Sequence, residues 1–387
     1  SDCRRSDPMR CLGLMSGTSA DGVDAVLAEF HGSAPRPEWR VLRHRHHPYP
    51  TALKRRVVHA GQGELLSASA WLDLVEAITE EQAKAALACD PNGESELVGC
   101  HGQTLWHRPP QQGRRGASWQ ALQAPLLAQL LNQPVVHDFR AADLALGGQG
   151  APLVPRADAA LIGSIGGWRA LLNLGGIANL TLIPPASGPD RHADVLGWDC
   201  GPANSLIDLA MSHFSKGSVG FDRDGAVAAQ GQSAEHWIDR WLQEPYFQRP
   251  FPKSTGREDF GTSDLDQRLG QLGELPVEDV VATLTAFAAD VVAQDLDRLS
   301  RQRGMAPIEL ITAGGGNRNP VLMNELRRRC RGLQVRSSDE LNIAAEAREA
   351  LVFALLAWWH HCGHPANAPA ITGAQRPARL GIRVEPA

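Results

Sequence analysis

Three glycine-rich segments of the chain each follow an apolar, strand-like run, and their residue types suit phosphate binding. The first is Ser16–Gly22, which is rich in serine and threonine; the second is Gly175-Gly176, and the third is Gly314-Gly315-Gly316. Turns of this kind present backbone amides and hydroxyls that surround phosphate oxygens without a cationic side chain. Together they predict a nucleoside triphosphate as ligand, with an ordinary tight turn as the alternative for each segment taken singly.

A carboxylate at the end of a strand-like run is the candidate general base. Asp199 is followed by Gly201-Pro202, and Asn204 is expected to cap a helix that begins at Ser205. An aspartate with an ordinary pKa of about 3.9 is ionised at neutral pH and can accept a proton. A plain turn carboxylate is the alternative interpretation.

Two shorter polar segments also follow apolar runs, and they are of the kind that lines sugar pockets with hydrogen bonds. They are His101–Thr104 and Asp138–Arg140. The planar guanidinium of Arg140 can hold a substrate carboxylate through paired hydrogen bonds. Asp21, in the first glycine-rich segment, is a candidate ligand for a hydrated magnesium ion.

The elements that must position these residues include two hairpins. Apolar runs at 11–15 and 23–30 bracket the first glycine-rich tip, and runs at 170–174 and 177–183 bracket the second. The repetition predicts a divergent duplication with both tips at one interdomain cleft, and chance similarity is the alternative. Apolar spacing predicts helices at 69–87, 122–131, 233–242, 277–299, 321–330 and 345–359, and a strand at 308–312. Alternating strands and helices predict an α/β fold.

Composition excludes several classes of protein. The 387 residues are 43% hydrophobic and 21% charged, which fits a folded chain long enough for more than one domain. A net charge of −5 disfavours nucleic acid as a partner. The seven cysteines are scattered, which predicts thiols and neither a disulfide framework nor a zinc site. With no membrane-length apolar run and no secretory signal in the chain as given, the cytoplasm is expected.

Taken together, these segments resemble the anhydro-N-acetylmuramic acid kinases, a bacterial branch of the actin, hexokinase and sugar-kinase superfold. The resemblance runs in order over almost the whole chain after residue 10, and a series of this length is very specific. It is carried by residues 13–24, 101–104, 138–140, 147–155, 173–179, 199–204, 252–258, 314–320 and 372–374.

The resemblance implies an α/β protein with two related actin-like, ribonuclease-H-like domains that flank an interdomain cleft. The first is expected to comprise residues 8–155 and 345–387, and the second residues 156–344. The implied enzyme uses ATP and Mg²⁺, opens the 1,6-anhydro ring of anhydro-N-acetylmuramic acid with water, and phosphorylates the freed 6-oxygen. The products would be ADP and N-acetylmuramic acid 6-phosphate, in cell-wall recycling. A cytoplasmic homodimer without nucleic-acid or membrane partners is expected.

The resemblance also implies roles for individual residues. It assigns the base role to Asp199 and places the nucleotide phosphates on the first tip. The expected ATP-binding residues are Met15, Ser16, Gly17, Thr18, Ser19, Ala20, Asp21, Gly22, Gly175, Gly176, Gly314, Gly315 and Gly316. The expected sugar-binding residues are His101, Gln103, Arg140, Asn173 and Asn204, and the candidate metal ligand is Asp21.

Two departures from the family pattern concern the nucleotide. The family usually has glycine where Ala203 stands, and its Gly-x-Pro stretch before the last long helix is Asn342-Ile343-Ala344 in this chain. Neither departure touches the candidate general base, and nucleotide affinity is the property that both are expected to change. The alternatives are a kinase of another amino sugar on the same fold and a noncatalytic actin-like ATP-binding protein, and Asp199 argues against the second.

Overall fold

The computed structural model describes residues 7–255, 259–345 and 347–387, so residues 256–258 of the segment 252–258 lie outside it. The chain forms two compact units. One comprises Ser1–Gly163 with Glu346–Ala387, and the other Ser164–Ala345. The expected boundary after residue 155 falls inside a helix, Val154–Ile162, which packs in the first unit.

The strands of the described residues are numbered in chain order. They are β1 Met9–Ser16, β2 Gly22–Ser33, β3 Arg36–Pro48, β4 Leu97–Arg108, β5 Ala117–Ala121, β6 Val135–His137, β7 Arg169–Leu174, β8 Ile177–Ile183, β9 Leu196–Pro202, β10 Glu309–Ala313, β11 Gln334–Ser337 and β12 Ile382–Val384. Both predicted hairpins are confirmed, because β1 pairs with β2 and β7 pairs with β8, each antiparallel.

The sheets of the two units share five strands of the same topology. The first sheet runs β12-β6-β4-β1-β2-β3, with β5 beside β4, and the second runs β11-β10-β7-β8-β9. In each, three antiparallel strands are followed, on the other side of the first, by two strands parallel to it. This is the ribonuclease-H-like arrangement, so the predicted α/β fold with two related actin-like domains is confirmed.

The α-helices are numbered in the same way. They are α1 Thr51–Gly61, α2 Ala68–Cys89, α3 Ala124–Leu131, α4 Ala141–Ala145, α5 Val154–Ile162, α6 Asn204–Phe214, α7 Glu235–Trp241, α8 Pro245–Gln248, α9 Thr262–Leu272, α10 Val277–Arg303, α11 Pro320–Arg329, α12 Arg348–Cys362 and α13 Pro369–Thr372. The predicted helices are therefore present, with ends that differ by a few residues.

One long helix forms the centre of each core. The apolar stretch Leu351–Trp359 lies in α12 and is buried on all sides, because the helix packs directly on β1 and β4. A Cβ atom at Gly13 would lie 1.9 Å from the carbonyl oxygen of Ala350, so only glycine permits this approach. In the second unit α10 packs against α6, α11 and β9.

The remaining sequence expectations concern membranes and thiols. Within the described part of the chain, no helix combines the length and apolar character needed to cross a bilayer. The six cysteines among the described residues are buried thiols, as predicted.

Candidate active site

The first glycine-rich tip joins β1 to β2 and presents its residues to solvent. Gly17, Thr18 and Ser19 are exposed, whereas Ala20 is buried. The turn is closed by the Ala20 amide, which donates to the Gly17 carbonyl at 3.1 Å. Exposed backbone in a closed turn is the arrangement that binds phosphate oxygens.

A buried polar cluster lies directly beneath this tip. The hydroxyl of Ser16 accepts a hydrogen bond from Gln82 Nε2 at 2.7 Å and lies 3.2 Å from the Tyr49 hydroxyl. Gln103 donates to the Gly17 carbonyl at 3.0 Å and accepts from Tyr49 at 3.1 Å. Gln103, expected at the sugar, is thus placed where it holds the tip.

Asp21 is the exposed carboxylate of the tip. It pairs with the ammonium group of Lys54 and accepts a hydrogen bond from Ser19, and both interactions lower its pKa. Among the described residues, no three His, Cys, Asp or Glu side chains are grouped as a metal site. Mg²⁺ in nucleotide enzymes needs only one or two protein carboxylates besides phosphate and water. Asp21 therefore fits an ion that arrives with the nucleotide.

The second glycine turn is bound to the start of α6. The Gly175 carbonyl accepts from the Asn204 amide at 3.1 Å, and the Gly176 carbonyl accepts from Ala203 and Ser205 at 2.9 and 3.0 Å. The Asn204 side chain instead donates to Leu174 at 3.0 Å, and α6 begins at Asn204 itself. The prediction that Asn204 caps the helix is wrong, because the glycine turn satisfies those amides.

The third glycine turn lies between β10 and α11. Gly314 has φ +86°, and a Cβ atom there would lie 2.8 Å from Asn173 Oδ1, which places Asn173 against this turn. The Asn319 side chain accepts from the amides of Val321 and Leu322, both at 3.1 Å, and Pro320 is the first residue of α11. Asn319 is therefore the N-cap of α11.

A cavity of about 430 Å³ opens beside this turn within the second unit. Phe221 presents a half-exposed ring there, with the Arg223 guanidinium 5.5 Å from the ring centre. An aromatic ring can stack on a nucleobase, and carboxylates can accept hydrogen bonds from ribose hydroxyls. The residues around the cavity are Asn204, Ile207, Asp208, Phe221, Asp222, Arg223, Asp224, Gly315, Arg318 and Asn319.

Asp199 lies on β9, and both carboxylate oxygens accept hydrogen bonds. Oδ1 accepts from Asn179 Nδ2 at 2.8 Å, and Oδ2 accepts from the Thr255 amide at 3.1 Å. Burial raises the pKa of Asp199, and these two bonds partly offset the increase. Each oxygen accepts one of these bonds and keeps a further lone pair. The carboxylate is therefore held in one orientation, and its pKa is higher than that of an exposed aspartate.

His101 and Arg140 are hydrogen-bonded to each other in the candidate sugar site. Arg140 donates from Nη2 to His101 Nε2 at 3.0 Å and from Nη1 to the Gly150 carbonyl at 2.7 Å. Burial and the adjacent guanidinium lower the pKa of His101 to about 3, so the imidazole is neutral. Burial lowers the pKa of Arg140 to about 10, and the group stays charged. Glu349, at the start of α12, acts electrostatically on Arg140 and was not expected from the sequence.

The predicted residues divide between the two units. The tip, Gln103, His101 and Arg140 belong to the first, and Asp199, Asn173, Asn204 and the other two glycine turns to the second. The residues around Asp199 that the sequence did not single out are Asn179, Tyr246 and Thr255. Asn179 pairs with Asp199 across β8 and β9, and knowledge of that register would have been needed to find it.

Comparisons with known proteins agree along the whole chain. A family model described as anhydro-N-acetylmuramic acid kinase matches residues 9–386. The anhydro-N-acetylmuramic acid kinase of Synechococcus sp. (strain CC9605) is 69% identical over 98% of this chain and 100% of that protein. That of Prochlorococcus marinus (strain MIT 9303) is 67% identical with the same coverage. The solved xylulose kinase from Rhodospirillum rubrum has a TM-score of 0.44 at 12% identity, covering 98% of this chain and 94% of that chain.

Proposed function

The chain belongs to the anhydro-N-acetylmuramic acid kinase family, and we propose how its residues carry out the reaction of that family. The enzyme opens the 1,6-anhydro ring of anhydro-N-acetylmuramic acid with water and transfers the γ-phosphoryl group of ATP to the freed 6-oxygen. The products are N-acetylmuramic acid 6-phosphate and ADP, a step of peptidoglycan recycling. The predicted family and enzyme class are confirmed by relatives that match over their full length.

The hydrogen-bonded carboxylate of Asp199 is the single observation that carries the mechanism. Asp199 takes a proton from the water that attacks the anomeric carbon, while the departing 6-oxygen attacks the γ-phosphorus in line. Glycosidases of the inverting type need a second carboxylic acid to protonate the leaving oxygen. Here the phosphorus captures that oxygen, so one carboxylate suffices. The donors Asn179 and Thr255 hold Asp199 in place, and both hydrogen bonds oppose the increase in its pKa that burial causes.

The two ends of the reaction need separate binding groups. Arg140 is oriented by neutral His101 and by Gly150, and its remaining donors suit the lactyl carboxylate of the sugar. The backbone of the exposed tip, residues 17–19, binds the phosphates, and bound Mg²⁺ beside Asp21 would neutralise their charge. The cavity beside Phe221 receives the nucleoside. Positioning and electrostatics then supply most of the acceleration.

Replacement of the base tests this mechanism. Asp199→Asn is expected to lower kcat by about 10²- to 10⁴-fold, the usual contribution of a general base, with ATP affinity in calorimetry unchanged. Asp194→Asn, which alters an exposed carboxylate before the same strand, is the matched control and should turn over normally. Near-normal turnover of Asp199→Asn would remove the base assignment.

Cellular location and assembly follow from the family and from the use of ATP. We propose a cytoplasmic enzyme that forms a homodimer, with the amino sugar and ATP as its small-molecule partners. Light scattering on a sizing column measures the assembly directly, and a monomeric mass at assay concentration would contradict the dimer.

A further inference from the structure

Residues 244–255 make three hydrogen bonds to Asp199 in addition to the one from Asn179. The Tyr246 hydroxyl donates to the Asp199 carbonyl at 2.7 Å, and the Asp199 amide donates to the Lys253 carbonyl at 3.0 Å. The Thr255 amide donates to Asp199 Oδ2. The orientation of the carboxylate therefore depends on where this segment lies.

The segment is held on helix α10 by a buried ion pair. Lys253 Nζ lies 3.1 Å from Asp295 Oδ1, and the two side chains are only 2% and 1% exposed. Arg298 and Arg303 of the same helix donate to the Phe247 and Phe251 carbonyls at 2.7 and 2.9 Å. The side chains of α10 thus contact the segment along most of its length.

Asp295 also contacts both chain neighbours of Asp199. Trp198 Nε1 donates to Asp295 Oδ2 at 3.1 Å, and the Cys200 thiol hydrogen-bonds to the same carboxylate. One buried carboxylate is therefore linked to the residues on either side of Asp199 and, through Lys253, to the segment that donates to it. Neither member of the pair is exposed enough to contact a substrate.

We propose that the Lys253–Asp295 ion pair is a positioning device that aligns strand β9 with the Thr255 amide and so fixes the direction of the Asp199 carboxylate. The proposal rests on the role of Asp199 as general base. A buried pair of this kind contributes little net stability, since desolvation of both charges offsets their attraction. Orientation is the property that it can supply, and a displacement of about 1 Å at a reacting group costs about a hundredfold in rate.

The titratable groups near Asp199 are Tyr246, Cys200 and the ion-paired Asp295. Burial raises the pKa of Tyr246 and of Cys200 above their usual ranges, so both stay neutral in the working range. The charged groups of the ion pair are Lys253 and Asp295, and Arg298 Nη1 lies 3.8 Å from Asp295 Oδ1. Burial raises the pKa of Asp295. Asparagine at position 295 does not titrate, so in the double variant the acidic limb of the rate profile reports on Asp199, whose pKa rises when the Thr255 hydrogen bond is lost.

The test replaces both charges at once, so that neither remains buried without a partner. Lys253→Met combined with Asp295→Asn removes the ion pair and keeps an acceptor for Trp198. The matched control is Arg169→Met with Glu309→Gln, a similarly buried pair at 2.9 Å that joins the starts of β7 and β10. For each variant, thermal unfolding, kcat, both KM values and the pH profile of kcat/KM are measured.

The Lys253/Asp295 variant is expected to remain folded, to lose about tenfold to a hundredfold in kcat with KM for ATP unchanged, and to have its acidic limb at higher pH. The control should keep its acidic limb and kcat. Three results would each overturn the positioning role. The Lys253/Asp295 variant could keep the wild-type kcat and acidic limb, or it alone could unfold. The control variant could show the same shift of its acidic limb. Turnover by Asp199→Asn would overturn the base assignment and this inference together, whereas an inactive Asp199→Asn beside an unchanged double variant removes only the inference.

Discussion

The protonation state of His101 is a prediction that follows from the contacts of Arg140. The imidazole Nε2 accepts from Arg140, so the proton must be on Nδ1, which faces the Gly102 carbonyl at 2.9 Å. The pKa of His101 is lowered to about 3 by burial and by the guanidinium charge. At pH 5 about 1% of this side chain is then charged, against about 97% for a histidine with a pKa of about 6.5.

Nitrogen-detected NMR of labelled histidines checks this value. One resonance is expected to disappear in His101→Asn and, in the wild-type protein, to keep the shift of a neutral Nδ1–H imidazole from pH 8 to pH 5. A titration midpoint for that resonance near the ordinary histidine value would refute the geometry assigned to Arg140 and His101. It would mean that Arg140 is not fixed by a neutral acceptor.

The same shift has a consequence for stability with a definite sign. The pKa of His101 is about 3 when folded and about 6.5 when unfolded, so below pH 6.5 only the unfolded chain takes up the proton. The neutral His101 side chain therefore makes its full contribution to the free energy of unfolding above pH 6.5. This contribution decreases as the pH falls toward 3. The loss at pH 5 is about 2 kcal/mol. Urea unfolding at pH 8 and pH 5 should show this loss in the wild-type protein relative to His101→Asn, and parallel behaviour would contradict it.

Three substitutions test the binding groups, and a fourth, Gly22→Val, is a structural comparison for Gly17→Val. Arg140→Ala is expected to raise KM for the sugar by about tenfold to a hundredfold and to leave KM for ATP unchanged, and an unaltered sugar KM in steady-state assays would contradict it. Gly17→Val adds a side chain where the nearest atom to its Cβ would be 3.9 Å away, so the fold should persist while calorimetric ATP binding weakens more than tenfold; unaltered ATP titration would count against the tip. Gly22→Val, whose Cβ would lie 2.2 Å from the His47 carbonyl, should instead unfold the protein. Phe221→Ala should weaken ATP binding by about two- to tenfold, because stacking of the adenine ring is lost. Unchanged ATP affinity would show that the adenine does not bind in the cavity beside Phe221.

Features of the fold that depend on local pattern could be predicted from the sequence. The hairpins around the tips at 16–22 and at Gly175-Gly176 are each a turn between two apolar runs, and both are present. The apolar stretch 351–359 predicts a helix, but not its position. The helix lies close to β1 because Gly13 has no side chain. The importance of that glycine cannot be recognised until the helix is known to pack against it.

The candidate site was only partly predictable, because the missing information concerns pairing over long distances. Gln103 has a polar side chain that fits a sugar pocket equally well, and only the position of Tyr49 and Gly17 makes it a support for the tip. Asn204 was expected to cap a helix, yet the carbonyls of the glycine turn, distant in sequence, occupy that role. The position of Asn179 beside Asp199 could be recognised only from the register of β8 and β9.

The origin of the anomeric oxygen is the most direct test of the central claim. The protein is incubated with Mg-ATP and anhydro-N-acetylmuramic acid in ¹⁸O-enriched water, and the product is analysed by mass spectrometry after a short reaction. If Asp199 directs water to the anomeric carbon, one heavy oxygen is found in the anomeric hydroxyl and none in the phosphate ester. Heavy oxygen in the phosphate, or a phosphorylated sugar without any label, would contradict this mechanism.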